Sequence, residues 1–206
     1  YAVLIDRSRL EKVAKALLFL PMAISFVGAG IIWKFVYEYK GAGQDQIGVL
    51  NALVTWLGFE PLRFLQDAWP NTVFLIFVLV WIEAGFAMVI LSASIKAVPA
   101  DIVEAARLDG ASAWQLFWNI TIPSIRPSLV VVLTTISIAT LKIFDITRTM
   151  TGARFDTQVL ANLMYDQSFV FGNNGLGSAM AVFIFVLVVP LVIFNVRQMA
   201  KNREVR

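Results

Sequence analysis

A polar loop, Asp101-Ile-Val-Glu-Ala-Ala-Arg-Leu-Asp-Gly-Ala-Ser-Ala-Trp-Gln-Leu-Phe-Trp-Asn-Ile-Thr-Ile-Pro123, separates two strongly apolar segments of the chain. It contains two patterns that start helices. Asp101 with Glu104, and Ser112 with Gln115, each have the spacing of a capping box, in which two side chains satisfy free backbone N–H groups at a helix N-terminus. The spacing therefore predicts two short helices within the loop.

Two residues are placed to end these helices. Gly110 follows the first, because glycine readily adopts the positive φ of a helix terminus, and Pro123 limits the second because proline cannot continue a backbone hydrogen-bond ladder. The first helix would carry an apolar face made of Ile102, Ala105 and Ala106. The loop is thus predicted to be a compact helix–turn–helix with a face that requires a partner.

The composition indicates a membrane protein without the usual catalytic side chains. The chain is 59% hydrophobic and 15% charged, and it contains neither Cys nor His, whereas soluble domains carry roughly 25% charged residues. These absences exclude disulfides, thiolate chemistry, most zinc sites and imidazole acid–base catalysis. No Gly-x-x-x-x-Gly-Lys-Ser/Thr phosphate-binding loop is present, so we expect this chain neither to bind nor to hydrolyse ATP itself. We also expect it to bind no metal or other cofactor and not to be an enzyme.

Four segments are long and apolar enough to cross a hydrocarbon core, which takes roughly 20 helical residues. We expect a kink at Pro21 in the first segment and an outward extension of the third past Asp145. The four predicted spans are about 13–37, 71–95, 128–144 and 178–196.

The basic residues predict the orientation of these spans. Eleven Lys and Arg residues fall on one side: Arg7, Arg9, Lys12, Lys15, Lys96, Arg107, Arg126, Arg197, Lys201, Arg203 and Arg206. Six fall on or near the other: Lys34, Lys40, Arg63, Lys142, Arg148 and Arg154. The positive-inside rule places the first set and the polar loop in the cytoplasm. The net charge of +3 therefore reflects membrane topology, and no nucleic-acid partner is expected.

We interpret residues 1–206 as one transmembrane domain with a cytoplasmic loop at 96–127. The opening Tyr1-Ala-Val-Leu-Ile5 looks like the tail of an apolar helix, so we expect N-terminal spans to be missing from this chain. On the outer side, 44–70 is amphipathic enough to lie along the membrane surface, whereas 145–177 is too polar to span it.

The loop closely resembles the EAA loop of ABC-transporter permeases, in which Glu-Ala-Ala, three residues, Gly, nine residues and Ile-x-x-Pro follow in order. The matching residues are Glu104, Ala105, Ala106, Gly110, Ile120, Ile122 and Pro123. The resemblance implies an all-α membrane helix bundle of the MetI-like type. It also implies that Glu104 contacts a basic residue of an ATP-binding subunit, although Glu104 could instead only close the capping box. The implied coupling residues are Glu104, Ala105, Ala106, Asp109, Gly110, Ile122 and Pro123.

A second resemblance, to carbohydrate permeases of the maltose-transporter type, lies in Phe144-Asp145 followed by Thr151-Gly152. Gly43-Gln-Asp-Gln-Ile-Gly48 and Gln158-Val-Leu-Ala-Asn162 look most like α-glucoside permeases. One departure is Ala153, where that family often has a second glycine. Aromatic faces suit the C–H faces of sugars, and amides and carboxylates suit their hydroxyls. The candidate pathway residues are Glu83, Phe144, Asp145, Asn162 and Tyr165.

Three assignments stay open at this point. Glu83, near the middle of a span, either faces the bundle interior or a water-filled path, or is a paired or protonated structural group. Lys142 and Asp145 contact sugar or form an i,i+3 pair at a helix end. Trp114, Phe117 and Trp118 (the loop aromatics) pack internally or form a subunit contact.

The resemblance implies a set of partners for this chain. They are a second permease subunit, two ATP-binding subunits that hold ATP and Mg²⁺, a periplasmic or lipid-anchored sugar-binding protein, and the lipid of a prokaryotic plasma (inner) membrane. The alternatives are an ABC permease for another solute and an ion-coupled secondary transporter. A membrane enzyme is disfavoured because the sequence offers no plausible acid–base cluster.

Overall fold

A computed structural model describes residues 11–41 and 43–204, and these residues form helices and connecting segments without any strand. The α-helices are α1 Glu11–Phe19, α2 Phe26–Val36, α3 Val49–Trp56, α4 Pro70–Lys96, α5 Ala100–Leu108, α6 Ala113–Leu116, α7 Ile122–Leu141, α8 Asp145–Met150, α9 Leu160–Tyr165 and α10 Asn174–Glu204. A 3-10 turn covers Leu20–Ala23, and π turns cover Phe117–Thr121 and Asp166–Val170. The expectation about residues 1–5 lies outside the described residues.

Three helical stretches within the described residues are long and apolar enough to cross a membrane: Pro70–Lys96, Ala113–Leu141 and Asn174–Gln198. A fourth is possible if the bent pair Lys15–Ala23 and Phe26–Val36 forms one span. The second and fourth predicted spans are therefore confirmed. The first is not one continuous helix, because the chain passes through a 3-10 turn at Pro21 and breaks before α2.

The third span differs from its prediction at both ends. It begins within the polar loop, since α6, a π turn and α7 follow one another without interruption, and it ends at Leu141. The predicted extension past Asp145 is wrong because residues 142–144 leave the helix and Asp145 begins a new one, α8. The chain divides into two compact units, which are described separately below.

The first unit comprises Tyr1–Leu20, Glu83–Thr140 and Leu187–Arg206, as far as these are described. Polar side chains link its apolar helices. Ser94 of α4 donates to Ser128 of α7 at 2.6 Å, and the Asn195 amide of α10 donates to the Thr134 hydroxyl. Hydrogen bonds of this kind hold membrane helices together because lipid offers a polar group no alternative partner.

The second unit comprises Pro21–Ile82 and Leu141–Val186 and has an aromatic core. Trp33 and Tyr37 lie at its centre, and Phe64 contacts both Tyr37 and Phe74 with ring centroids 5.6 and 4.8 Å away. Helix α2 packs closely on α8. A Cβ at Gly30 would come within 3.0 Å of Thr149, so the absence of a side chain there permits this approach.

Candidate coupling loop and substrate pathway

The first half of the loop is α5, which ends in a Schellman motif. Gly110 has φ +82°, its N–H donates to the Arg107 carbonyl at 3.1 Å, and the Ala111 N–H donates to the Ala106 carbonyl at 3.0 Å. This pair of bonds satisfies carbonyls that the helix end would leave free. The prediction that Gly110 ends the first helix is confirmed, and Asp109 is its C-cap.

The second predicted capping box is confirmed and the first is wrong. The Gln115 side chain accepts from the Ser112 N–H at 2.8 Å, and Ser112 Oγ accepts from the Gln115 N–H at 3.3 Å. Helix α5 instead begins at Ala100, with Pro99 as an N-cap that makes no side-chain bond. Asp101 therefore lies inside the first turn, where it interacts favourably with the helix dipole but cannot cap.

Helix α5 presents an open apolar and acidic surface. Glu104 and Ala105 are exposed and Ala106 is partly so, while Ile102 is about half exposed and Leu108 is 89% exposed. Because Glu104 caps nothing here and its carboxylate is accessible, it is available to a cation on another subunit. Its role in docking stays a prediction.

Pro123 does not end the second helix, so that prediction is wrong. A π turn at Phe117–Thr121 joins α6 to α7, and the Ile122 N–H donates to the Phe117 carbonyl five residues back. The wider turn relieves the clash between a proline ring and the carbonyl four residues before it. The Ser124 hydroxyl donates to the Ile120 carbonyl at 2.6 Å, which supplies a further bond near the proline.

The loop aromatics contact one another and remain accessible. Their ring centroids are 5.2–6.3 Å apart, and Trp114 is 70% exposed. The rings therefore pack against one another, as one of the two alternatives predicted, and a subunit contact through their exposed surface stays a prediction.

In the second unit, Asn162 joins α9 to the start of α8. It is fully buried, its carbonyl oxygen accepts from Thr147 Oγ1 at 2.6 Å, and its amide donates to the Phe144 carbonyl at 3.3 Å. Both polar atoms of Asn162 are thus used inside the protein. This geometry favours a positioning role over direct contact with sugar.

Three aromatic rings form a row beside this joint. Phe144 and Tyr165 are 5.2 Å apart, and Tyr165 and Phe169 are 5.1 Å apart, between centroids. The Arg148 guanidinium lies 5.3 Å from the centre of the Tyr165 ring and forms an ion pair with Asp166 at 2.9 Å. The sequence pattern did not predict this pair, because its members lie 18 positions apart and only the fold brings them together.

Two cavities flank the aromatic row. An apolar cavity of about 340 Å³ is lined by Lys142, Phe144, Ala161, Met164, Tyr165, Ala181 and Ile184. A larger cavity of about 770 Å³ has charged and aromatic groups in its wall, among them Lys34, Glu38, Tyr39, Arg148, Asp166 and Phe171. Phe144 and Tyr165 of the predicted set therefore share one cavity.

Asp145 and Lys142 do not form the i,i+3 helix pair that the sequence allowed. They form no ion pair within the described part of the chain, because Lys142 lies between α7 and α8 whereas Asp145 is the first residue of α8. Asp145 is partly buried at this helix N-terminus, a favourable position for a carboxylate.

The loop after Thr151 adopts left-handed backbone conformations. Gly152 and Ala153 have φ of +65° and +58°. Ala153 thus adopts a backbone conformation that favours glycine. The loop therefore makes its turn without the second glycine that carbohydrate permeases of the maltose-transporter type often have here. The Asn71 amide donates to the Phe155 carbonyl at 2.6 Å, which anchors the loop to the first turn of α4.

Glu83 lies at the midpoint of α4, equally far from Pro70 and Lys96, and is partly buried. It makes no hydrogen bond or ion pair with any residue in the described ranges, so the structure supplies no partner for it. Within these ranges no group of three or more acidic side chains is arranged to hold a metal ion.

Together, the apolar helices and the exposed loop define a polytopic helical membrane permease. The chain belongs to the family described as binding-protein-dependent transport system inner membrane component, whose sequence profile matches residues 3–203. The predicted class, the all-α MetI-like fold and the location in a membrane are confirmed. The family is that of a non-catalytic membrane subunit.

Among known proteins, the chain is 52% identical over 205 residues to an osmoprotective compounds uptake permease protein of Synechocystis, covering all of this chain and 74% of the relative. It is 50% identical over 202 residues to an alpha-glucoside transport system permease protein of Rhizobium meliloti, covering 98% of this chain and 60% of the relative. A bacterial alginate ABC transporter, crystallised with an alginate pentasaccharide-bound periplasmic protein, matches with a TM-score of 0.81 at 25% identity, over 94% of this chain and 67% of that one.

Proposed function

We propose that this chain is a permease subunit of an ATP-driven importer for α-glucosides or related oligosaccharides in a prokaryotic plasma membrane. The observation that carries the proposal is the exposed loop, in which a Schellman turn and a capping box hold Glu104 and the loop aromatics on accessible helices. A loop of this construction requires a partner to cover it. The α-glucoside transport for which the relative at 50% identity is named supports this substrate class.

The partners follow from the same proposal. Two ATP-binding subunits carry ATP and Mg²⁺ and dock on this loop and on that of a second permease subunit. A periplasmic or lipid-anchored binding protein delivers the sugar. Coupling requires the pathway to have different affinities for sugar in its two states, since a ligand indifferent to both would shift neither.

The sugar pathway is proposed to include the aromatic row. A pyranose ring presents C–H groups that stack on Phe144 and Tyr165, and the neighbouring Arg148 and Asp166 offer donors and acceptors to its hydroxyls. Asn162 and Thr147 hold this wall in position. Sugar contact at Asp145 and Glu83 is part of the same proposal.

The test is a sugar-stimulated ATPase and uptake assay on the complete complex in proteoliposomes. Maltose, trehalose and sucrose supply α-glucosidic bonds, lactose supplies a β-galactoside control, and phosphate and an amino acid mixture represent other solutes. Stimulation by the α-glucosides alone supports the proposal. Stimulation by phosphate or amino acids would show that the substrate is not an α-glucoside, although the chain would still belong to an ATP-driven importer.

A second candidate function, ion-coupled transport, is favoured by one observation: Glu83, at the midpoint of a span, has no hydrogen-bond or ion-pair partner among the residues that the structure describes. Glu83→Gln removes the charge and keeps the shape. An ATP-driven importer is insensitive to a protonophore at constant ATP, even where loss of a Glu83 sugar contact lowers uptake by this variant. Loss of uptake in both experiments would favour the ion-coupled mechanism.

A further inference from the structure

Helix α3 has one face against the protein and one face uncovered. Leu50 and Val54 pack against the core of the second unit, and Asn51 is fully buried between them. The exposed large side chains recur at i, i+4, i+7 and i+8, which is the spacing of one helical face. They are Val49, Leu53, Trp56 and Leu57.

Apart from the Trp56 indole N–H, the uncovered face is apolar, because Asn51 and Thr55 are hydrogen-bonded within the protein. The helix contains no charged residue. The Asn51 amide donates to the Glu38 and Leu62 carbonyls at 2.9 and 3.0 Å and accepts from the Leu62 N–H at 2.8 Å. The Thr55 hydroxyl donates to the Asn51 carbonyl at 2.9 Å. The exposed Trp56 indole N–H is the donor that this face retains, and a tryptophan at a membrane interface keeps that group toward the polar side.

The Asn51 bonds also hold α3 close to the C-terminal end of α2 and to the segment that leads into α4. Glu38 lies two residues beyond α2, and a Cβ at Gly48 would fall only 2.2 Å from its carbonyl oxygen, so α3 begins in direct contact with that helix end. Near Leu62, Phe64 stacks edge-on against Phe74 in the first turns of α4. By the basic-residue rule this is the outer side of the membrane.

The outer end of the membrane-spanning helix α4 also exposes apolar side chains. Trp69, the residue before α4, is 81% exposed, and Trp56 at the end of α3 is 79% exposed. Below Trp69, the outer half of α4 exposes an apolar stripe with the spacing of a lipid-facing helix surface, formed by Val73, Ile76, Phe77 and Val80. Exposed tryptophans at the end of a span are typical of the boundary between headgroups and acyl chains.

We infer that α3 is an interfacial helix of the outer leaflet, with Val49, Leu53, Trp56 and Leu57 inserted at the headgroup–acyl boundary. The occupant of the uncovered face is therefore lipid. Because α3 carries no charge, its insertion depends on apolar area and is the same in zwitterionic and anionic bilayers. The Asn51 bonds tie the helix to the protein whether or not lipid is present.

The absence of cysteine from this chain allows a direct test. Leu53→Cys and Trp56→Cys are spin-labelled separately in the complete complex, after any reactive cysteines of the other subunits have been replaced. The labelled complexes are reconstituted in phosphatidylcholine vesicles. Collision rates with oxygen and with a water-soluble nickel chelate report depth. We expect both labels to favour oxygen, at a depth of about 5–10 Å. Asp45→Cys, in an exposed loop, is the aqueous control, and Val54→Cys is the core control.

Two results would overturn the inference. Nickel access at residues 53 and 56 equal to that at residue 45 would show that the face is in water. Protection from both reagents, lost when this chain is reconstituted without its partners, would show that a protein covers it. Repeating the measurement with 30% phosphatidylglycerol should leave both labels at the same depth, and a shift toward the bilayer only in anionic lipid would contradict the role of apolar area.

Discussion

The Thr147 hydroxyl donates a hydrogen bond of 2.6 Å to the carbonyl oxygen of the fully buried Asn162, and so joins α8 to α9. The same amide donates to the Phe144 carbonyl, beside the aromatic row. A hydrogen bond inside the protein contributes about 1 kcal/mol, whereas an unpaired buried group costs about 1–3 kcal/mol. This joint therefore sets the geometry of the proposed sugar-contacting wall.

Removing both partners of this joint should cost less than the sum of the costs of removing each one. We expect Thr147→Val to lower the free energy of unfolding by about 1–3 kcal/mol, because the Asn162 carbonyl is left unpaired, and Asn162→Leu to do the same. The double variant should be less destabilised than the sum of the two, as measured by a double-mutant cycle on chemical unfolding of the purified permease. Strict additivity would mean that the two side chains act independently.

The charge on Glu104 should matter more than the other acidic charge in α5. We expect Glu104→Gln to reduce sugar uptake roughly tenfold or more, because a charge-assisted hydrogen bond worth about 1.5–3 kcal/mol is lost at the proposed docking surface. Asp101→Asn also removes one negative charge, three residues away, and should leave most sugar uptake intact. Uptake and sugar-stimulated ATPase activity are measured on the same proteoliposomes. Equal losses in both variants would assign the effect to net charge alone.

Backbone conformation at Gly110 should control coupling. Gly110 has φ +82°, and a Cβ built on it would have no atom within 4 Å. A side chain at this position would therefore strain the backbone without clashing with a neighbour. Gly110→Ala should cost roughly 1–2 kcal/mol locally, and Gly110→Pro cannot adopt this φ at all. We expect the proline variant to insert normally and to lose uptake, whereas Gly110→Asn retains it because asparagine tolerates this conformation. Normal uptake by the proline variant would remove the loop from the coupling mechanism.

The aromatic face of Tyr165, and not its hydroxyl, should determine sugar affinity. Its ring contacts Phe144 and Phe169, and each aromatic contact is worth about 0.5–1.5 kcal/mol. We expect Tyr165→Ala to raise the KM for α-glucoside uptake roughly five- to tenfold and Tyr165→Phe to leave it close to the wild-type value. Phe185→Ala removes an exposed ring elsewhere and serves as the control. A similar rise in all three variants would indicate general destabilisation.

Local features of the loop were correctly predicted where nearby residues decide them. Gly110 and the Ser112–Gln115 box act through bonds that span five residues or fewer, so their patterns suffice. The Asp101–Glu104 box was wrong because Pro99 begins α5 earlier and moves Asp101 inside the helix. Pro123 was wrong for a related reason, since the π turn before it changes the geometry that makes proline a stop signal.

The sequence by itself determined that this chain is a helical membrane permease with an exposed loop, because hydropathy, basic-residue placement and a compact motif act over short distances. Only the tertiary structure decided which polar groups are used internally. Asn51, Asn71 and Asn162 bind partners 11 or more residues away, and Arg148 finds Asp166 eighteen residues on. A polar residue in an apolar environment must find a partner, but the partner depends on which helices pack together, and that information is not local.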